Sequence, residues 1–393
     1  MLTVLDEKQL LTKENEMPTP TYSSRLIEDF AKRGALGDSG FVVIDVGASG
    51  GLTDVWRQLG EQLSAHCFDP LTNEVNRLNS AETHPNVKYH AAWLTTDDPA
   101  VLAGISDNAN STLSFHLTSA GRAQEISSNY VQTVFNQGAE LVYADRKTTL
   151  DAFVNEERLT SVDFVKIDTD GHDYAVLQGA KQLLTNRGVL GLMVECQLHG
   201  STNAYANTFA NIDSFLRSRG FALFQMDTLR YTRSGLPGVF SHDLDAQTEQ
   251  GQVQWGDAVY FLDPMTRPEL FEKLTAAQFA KLLILYSLFN LPDCAATLIK
   301  ELQRRSIFIP GIDYRKTLDD LVPPNPYGLS TYEEYIRFFE NDTKTFHASN
   351  WSAALAQSRA AAPEHTPAAK SDSKPRKSRY FRNLWLAIRG QTF

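Results

Sequence analysis

From Phe41 onward, short apolar runs alternate with stretches whose apolar residues recur every three or four positions. The runs read as strands at 41–46, 65–69, 87–92, 162–168, 189–195, 220–226 and 257–262. The periodic stretches read as helices at 53–63, 70–79, 119–129, 148–157, 172–186 and 207–219. A run such as Phe41-Val-Val-Ile44 is apolar throughout, which predicts a strand covered on both faces. Strands alternating with helices predict an α/β domain: a mostly parallel, seven-stranded sheet with helices on both sides. A long polar connection, 227–256, joins the last two strands and fits a closing antiparallel hairpin. Residues 1–40 read as a leader followed by a helix, Tyr22 to Arg33, stopped at Gly34.

After Asp263-Pro264 the strands cease. The sequence from Leu270 to Phe289 is apolar at helical spacing, with Cys294 to Leu302 as its partner. The chain therefore divides into 1–40, an α/β domain at 41–264, a small helical appendage at 265–345, a linker at 346–375 and a tail at 376–393. Alanine runs with Pro363, Pro367 and Pro375 mark the linker. Between Lys370 and Phe393 seven Lys or Arg stand against one Asp, interleaved with Tyr380, Phe381, Leu384, Trp385, Leu386 and Ile388. That is the pattern of a basic amphipathic helix, suited to docking on its own protein or to peripheral contact with the inner face of a membrane.

At 393 residues the chain is long enough for one sizeable domain plus an appendage. A formal net charge of −10 argues against nucleic acid as a partner. Cys67, Cys196 and Cys294 lack metal-site spacing and read as free thiols in a reducing compartment, the cytoplasm. The acidic start, Met1 to Lys8, has no signal-peptide pattern, and no apolar run is long enough to span a membrane.

The chemistry concentrates where strands end. Phe41-Val-Val-Ile-Asp-Val-Gly-Ala-Ser-Gly-Gly51 is a strand ending in an acid, then a loop of small residues, then a helix start. Gly47, Gly50 and Gly51 let backbone approach a ligand, and the helix N-terminus offers N–H groups. A dinucleotide fingerprint needs glycines at 47, 49 and 52; the chain has Gly47, Ser49 and Leu52. The loop instead fits acid-x-Gly-x-small-x-Gly and is similar to that of class I S-adenosylmethionine (SAM) methyltransferases, with Asp45, Gly47, Ala48, Ser49 and Gly51 toward the cofactor. The next strand ends in Asp69, about 20 residues on, where an acid meets ribose hydroxyls in doubly wound folds. Asp69 followed by Pro70 also reads as a helix cap.

The second motif is Val162-Asp-Phe-Val-Lys-Ile-Asp-Thr-Asp-Gly-His-Asp-Tyr-Ala-Val-Leu-Gln-Gly-Ala180, a strand, a polar turn and a helix. Phe164, Lys166, Ile167, Asp168, Gly171, Val176, Leu177, Gly179 and Ala180 resemble the FkbM family of SAM-dependent O-methyltransferases, as does the opening loop. Ser49 stands where that family usually has Asn, and Asp69-Pro70 replaces its commoner Glu-Pro. The resemblance covers about residues 40–262. It implies the class I methyltransferase (Rossmann-like) fold, SAM as cofactor, and a hydroxyl acceptor on a small molecule or a glycan: a sugar of a polysaccharide or glycolipid, or a polyketide-type metabolite.

In an open parallel sheet the ligand sits at the carboxyl ends of the strands, where strand order reverses. Asp45 to Gly51, Asp69, Asp168 to His172 and Glu195 should meet there. Methyl transfer from a sulfonium needs an aligned acceptor and a group to take its proton. Asp168, His172, Glu195 and His199 are the candidates, with Asp168 also near the cofactor. Lys166 reads as the buried partner of an acid, and Asp170 as a support of the turn. Glu195 is a ligand or an exposed strand end; His199 and His116 are open between site and plain loop. Asp168, Asp170, His172 and Glu195 are of the ligand types that hold Mg²⁺. The chain lacks the Asp-Asn pair of catechol-type enzymes after strand five, so the site is expected to work without a metal. A nicotinamide-dependent oxidoreductase and a non-catalytic SAM-binding scaffold at a membrane are the rival readings.

Overall fold

The computed structural model describes residues 26–27, 29–30, 33–37, 40–106, 142–198, 201–232, 236, 238–239 and 248–361. The helix expected at 119–129, most of the leader, His116, His199 and the 376–393 tail lie outside the described residues. The described residues gather into two compact units, 36–282 and, together, 26–35 with 283–361. The division falls inside the helix Ala276–Leu288, later than the change of character after Pro264.

The first unit holds the sheet. Its strands are β1 (Phe41–Val46), β2 (Leu63–Asp69), β3 (Val87–Ala91), β6 (Phe164–Ile167), β7 (Gly191–Gln197), β8 (Phe221–Tyr231) and β9 (Gln252–Leu262). A separate two-stranded ladder pairs β4 (Trp93–Leu94) with β5 (Lys147–Thr148). The seven strands run in the order β3-β2-β1-β6-β7-β9-β8, with β9 antiparallel to both β7 and β8 and the other pairs parallel. Strand order reverses between β1 and β6, the switch point at which a crevice opens beyond the strand ends. Every residue of β1 is buried, as its apolar run predicts.

On one face Ile44, Val165, Ile167, Val194 and Tyr260 join Phe153, Val176 and Leu177 in a single core. On the other, Trp56 packs between Phe41 and Phe164, with ring centroids 6.1 and 4.9 Å away. Lys281 reaches Asp163, its ammonium 3.0 and 2.9 Å from the two carboxylate oxygens. Asp163 also accepts the Val42 N–H at 2.7 Å, tying β1 to the start of β6.

Three expectations change. The helix over 53–63 becomes Asp54–Arg57 and a 3-10 turn, Gly60–Gln62. The helix over 172–186 is two helices, Asp173–Gln178 and Lys181–Asn186. The break lies at Gly179, whose added Cβ would stand 2.0 Å from the Thr95 carbonyl oxygen. Asp151 completes it: its N–H donates to the Gly179 carbonyl, and its carboxylate accepts from Gln182 and Leu183. Third, β8 and β9 extend far into the stretch read as a polar connection, because an edge hairpin can carry polar side chains on its solvated positions.

The second unit is helical, with Pro292–Arg304, Tyr314–Asp320, Tyr332–Asn341 and Ala348–Ala361. Asp313 caps the second of these helices, and Thr331 with Glu334 forms a capping box on the third. Within the described part of the expected linker, 346–361, the stretch Ala348–Ala361 is helix, in keeping with alanine's high helix propensity.

Beneath the end of β2, two imidazoles meet. His66 Nδ1 lies 3.2 Å from His90 Nε2, and Phe68 and Phe153 flank the pair. Burial holds both below the ordinary histidine pKa, His90 at about 4, where the neighbouring His66 adds to the effect. An unfolded chain takes up these protons near pH 6.5, the folded chain only well below it. The unfolded state thus binds more protons between about pH 6.5 and 4, and stability falls as pH drops through that window. Urea unfolding at pH 7 and pH 5 should show a loss of about 1–2 kcal/mol from the pair, after allowance for solvent screening. In His90→Phe that loss should shrink; an unchanged slope would assign it to other groups.

Candidate active site

The loop after β1 is shaped by what presses on it. Gly47 has φ 83°, and a Cβ there would lie 1.7 Å from the Asp168 carbonyl oxygen, so only glycine lets the ends of β1 and β6 touch. The N–H groups of Gly47 and Ala48 both donate to the Phe68 carbonyl at 2.9 Å, which joins the loop to β2. Ala48 is buried and Ser49 half-buried. Further along, Gly50 N–H donates to Glu74 Oε1 at 3.1 Å, Gly51 N–H to the Ala48 carbonyl and Leu52 N–H to the Tyr89 hydroxyl at 3.0 Å. The expected free N–H groups are therefore taken up inside the protein at these positions. The helix that follows, Asp54–Arg57, is only one turn.

Glu74, Tyr89 and their supports carry no sequence signal, since each acts across a turn or a strand. Arg77 grips Glu74 at 2.6 and 2.7 Å. The Tyr89 hydroxyl donates to Glu82 at 3.2 Å, and Arg57 holds Glu82 by two bonds. The loop thus rests on a second layer of charged groups.

Asp69 ends β2 and is buried. Its Oδ1 accepts the Leu71 N–H at 2.7 Å. The helix begins at Thr72 with Leu71 as its cap, so Asp69 closes a turn before the helix and Pro70 is not its first residue. Burial pushes the Asp69 carboxyl up to about 6, against the Leu71 bond and with the Glu74 charge adding to the rise.

At the end of β6 the Asp168 N–H donates to the Val46 carbonyl at 2.9 Å. The turn from 168 to 173 is organised by Asp173, which is fully buried. Its carboxylate accepts from Thr169 N–H at 2.7 Å, Thr169 Oγ1 at 2.9 Å, Gly171 N–H at 3.2 Å and Asn207 Nδ2 at 2.8 Å. Burial and the charge of Asp168 lift Asp173 to about 6 while these bonds oppose the rise. Asp170 takes φ 54°, the left-handed region that Asp tolerates in turns. His172 stands just before the next helix, and its Nε2 lies 2.9 Å from the Thr95 hydroxyl. Burial lowers its pKa and favours the neutral imidazole, the form that can take a proton.

Lys166 joins the two motifs. It faces Asp45 in the β1–β6 register, and its ammonium lies 3.2 Å from Asp45 Oδ1, 3.5 Å from Asp168 Oδ2 and 3.1 Å from the Gly47 carbonyl, to which it donates. Burial opposes its charge, but Asp45 and Asp168 outweigh burial and push its pKa above that of an ordinary lysine. The Asp45 carboxyl is pushed up by burial, with Lys166 pulling it back. Lys166 is thus the partner of an acid, as its place in a buried strand implies.

On β7, Glu195 is buried opposite Asp257 of β9. Asp168, Asp170 and Glu195 each bring a carboxylate oxygen within 4.8 Å of the others. Hard oxygen donors so grouped are of the kind that takes a divalent cation. They are also the groups that meet a positive ligand or accept a proton. His172 is fixed at the same turn, toward Thr95.

The methyltransferase FkbM domain matches residues 62–223, from the start of β2 into β8. No curated protein matches the chain. Solved structures that resemble it include a TehB-like SAM-dependent methyltransferase from Corynebacterium glutamicum, 10% identical, covering 65% of this chain and 93% of its own at a TM-score of 0.27. A SAM-dependent methyltransferase from Aquifex aeolicus is 11% identical, covering 61% and 98% at 0.24. Another from Anabaena variabilis is 11% identical, covering 65% and 90% at 0.26. Scores this low carry no argument, and the weight rests on the domain match together with the seven-stranded order. Residues 62–223 match the FkbM methyltransferase domain, and the chain is a SAM-dependent methyltransferase.

Proposed function

We propose that the enzyme transfers the methyl group of SAM to a hydroxyl, that of a sugar in a polysaccharide or glycolipid or of a polyketide-type metabolite. The observation that supports this most is the convergence of Asp168, Asp170 and Glu195 beside the glycine loop. The cofactor lies along Asp45, Gly47, Ala48, Ser49 and Gly51, with its ribose at Asp69. The acceptor oxygen attacks the methyl carbon in line as the carbon–sulfur bond breaks, and the sulfonium becomes a neutral thioether. Alignment supplies most of the rate because the sulfonium is already activated. The hydroxyl proton passes to a carboxylate, Asp168 in this reading, with His172 and Glu195 as the other groups in reach of the acceptor. The sugar as acceptor is drawn from the family resemblance, and the basic tail is consistent with a lipid-linked form of it.

Cofactor choice is the first test. Calorimetry should show binding of SAM and S-adenosylhomocysteine and none of NADH. Asp69→Ala should weaken SAM by about 1–3 kcal/mol through loss of charge-assisted bonds to ribose. NADH binding without SAM binding would end this reading.

The chemistry is tested by Asp168→Asn. Its fold should persist by circular dichroism, while methyl transfer falls roughly 10²–10⁴-fold. His172→Ala should cost less. Full activity in Asp168→Asn moves proton transfer to another group. A strong chelator should leave the rate unchanged, and loss of activity that Mg²⁺ restores would make the three-carboxylate cluster a metal centre.

Membrane contact is tested by sedimentation with vesicles. The full chain should co-sediment with anionic vesicles at low salt, each tail Lys or Arg near the surface adding about 1 kcal/mol, and salt should release it. A chain ending at Ala362 should stay in solution. Equal behaviour of the two would leave the tail docked on its own protein.

A further inference from the structure

Lys166 holds two carboxylates and a loop carbonyl at once. Its ammonium lies 3.2 Å from Asp45, 3.5 Å from Asp168 and 3.1 Å from the Gly47 oxygen, and its side chain is only 3% exposed. A buried lysine without counter-charges would shed its proton. Here two anions keep it charged, and the array as a whole retains one negative charge. The cofactor assigned above to Asp45, Gly47 and Asp168 changes charge during the reaction. SAM arrives with a cationic sulfonium; when the methyl carbon bonds to the acceptor oxygen, the sulfur keeps the bonding pair and leaves as a neutral thioether. A fixed charge at the strand ends therefore acts differently on substrate and product cofactor.

We propose that Lys166 is a positioning residue that sets the charge felt by the cofactor, cancelling one of two carboxylates and so limiting how strongly the site prefers SAM to S-adenosylhomocysteine. The same contacts bind the Gly47 carbonyl and Asp168 into one unit, so the cofactor loop and the acid stay in register. Without the ammonium, the sulfonium would be held more tightly before reaction. Binding of that kind stabilises the ground state and slows the chemical step. The inference rests on the reading of Asp45, Gly47 and Asp168 given above.

The test is the ratio of the S-adenosylhomocysteine Kd to the SAM Kd, measured by calorimetry on the full chain at pH 8. Lys166→Met removes the cation and keeps side-chain length; Asp45→Asn removes one anion and keeps shape. The ratio should rise about tenfold in Lys166→Met and fall about tenfold in Asp45→Asn, as expected for one charge a few ångströms away in a partly buried site. The double variant restores the native net charge, and its ratio should return to within about threefold of the native one. In Lys166→Met, kcat should fall although SAM does not bind more weakly. A purely structural role would weaken both ligands together and leave the ratio alone. Single variants that shift the ratio in the same direction, or not at all, overturn the proposal. If Lys166→Met fails to fold, Asp45→Asn and the double variant still decide it by the same ratios. A native chain that binds neither ligand overturns instead the reading of the site.

Discussion

The tip of β1 and the end of β6 touch backbone to backbone at Gly47, and much else follows from that contact. It needs a residue without a Cβ, because the space a Cβ would occupy belongs to the Asp168 carbonyl. It brings the two sequence motifs, more than a hundred residues apart, to one place. Once they are there, Lys166 can reach across from β6 to Asp45 and to the loop carbonyl. The Phe68 carbonyl then takes two loop N–H groups and fixes Asp69 at the same edge. A bulkier residue at 47 would separate the strand ends and dissolve this geometry before any catalytic group was altered.

The parts legible in the sequence are those in which local pattern and tertiary role agree. β1, β2 and β7 are apolar because they are buried on both sides, so periodicity finds them. Asp45, Asp69 and Asp168 stand out as acids closing apolar runs. The extent of β8 and β9 was hidden because an edge hairpin with half-exposed positions has the polarity of a loop. The break at Gly179 was hidden because its cause, the carboxylate of Asp151, sits on another element. At the site the same divide holds. Asp173 carries no role in the sequence pattern, yet it takes four hydrogen bonds and shapes the turn that presents Asp168. Its partner Asn207 lies on a distant loop and has no signal of its own.

The site is supported at some cost to the fold. Asp69 and Asp173 are both held near pKa 6 by burial, so each is a carboxylate kept in a place that disfavours its charge. A group whose folded pKa lies above its unfolded value opposes folding at neutral pH and ceases to do so as pH falls toward the unfolded pKa. This runs opposite to the His66–His90 pair across nearly the same range. Acid sensitivity of the fold is therefore a difference between buried groups of opposite type, carboxylates at the end of β2 and after the end of β6 and imidazoles on β2 and β3.

The sign of charge at the strand ends also argues for the cofactor independently of motif spacing. Asp45, Asp69, Asp168, Asp170, Glu195 and Asp257 gather on this edge of the sheet, with Lys166 among them. A dinucleotide would bring a doubly negative pyrophosphate to such a place. It would also require loop N–H groups to receive the phosphates. Those of Gly47, Ala48, Gly50, Gly51 and Leu52 instead end on carbonyls, a carboxylate and a phenol within the protein. SAM carries no phosphate and a positive sulfur. An edge rich in carboxylates, beneath a loop whose amides are already bonded, suits that ligand and repels the other. Glycine spacing and electrostatics thus reach the same conclusion by separate routes, one through the shape of the loop and one through the charge that surrounds it.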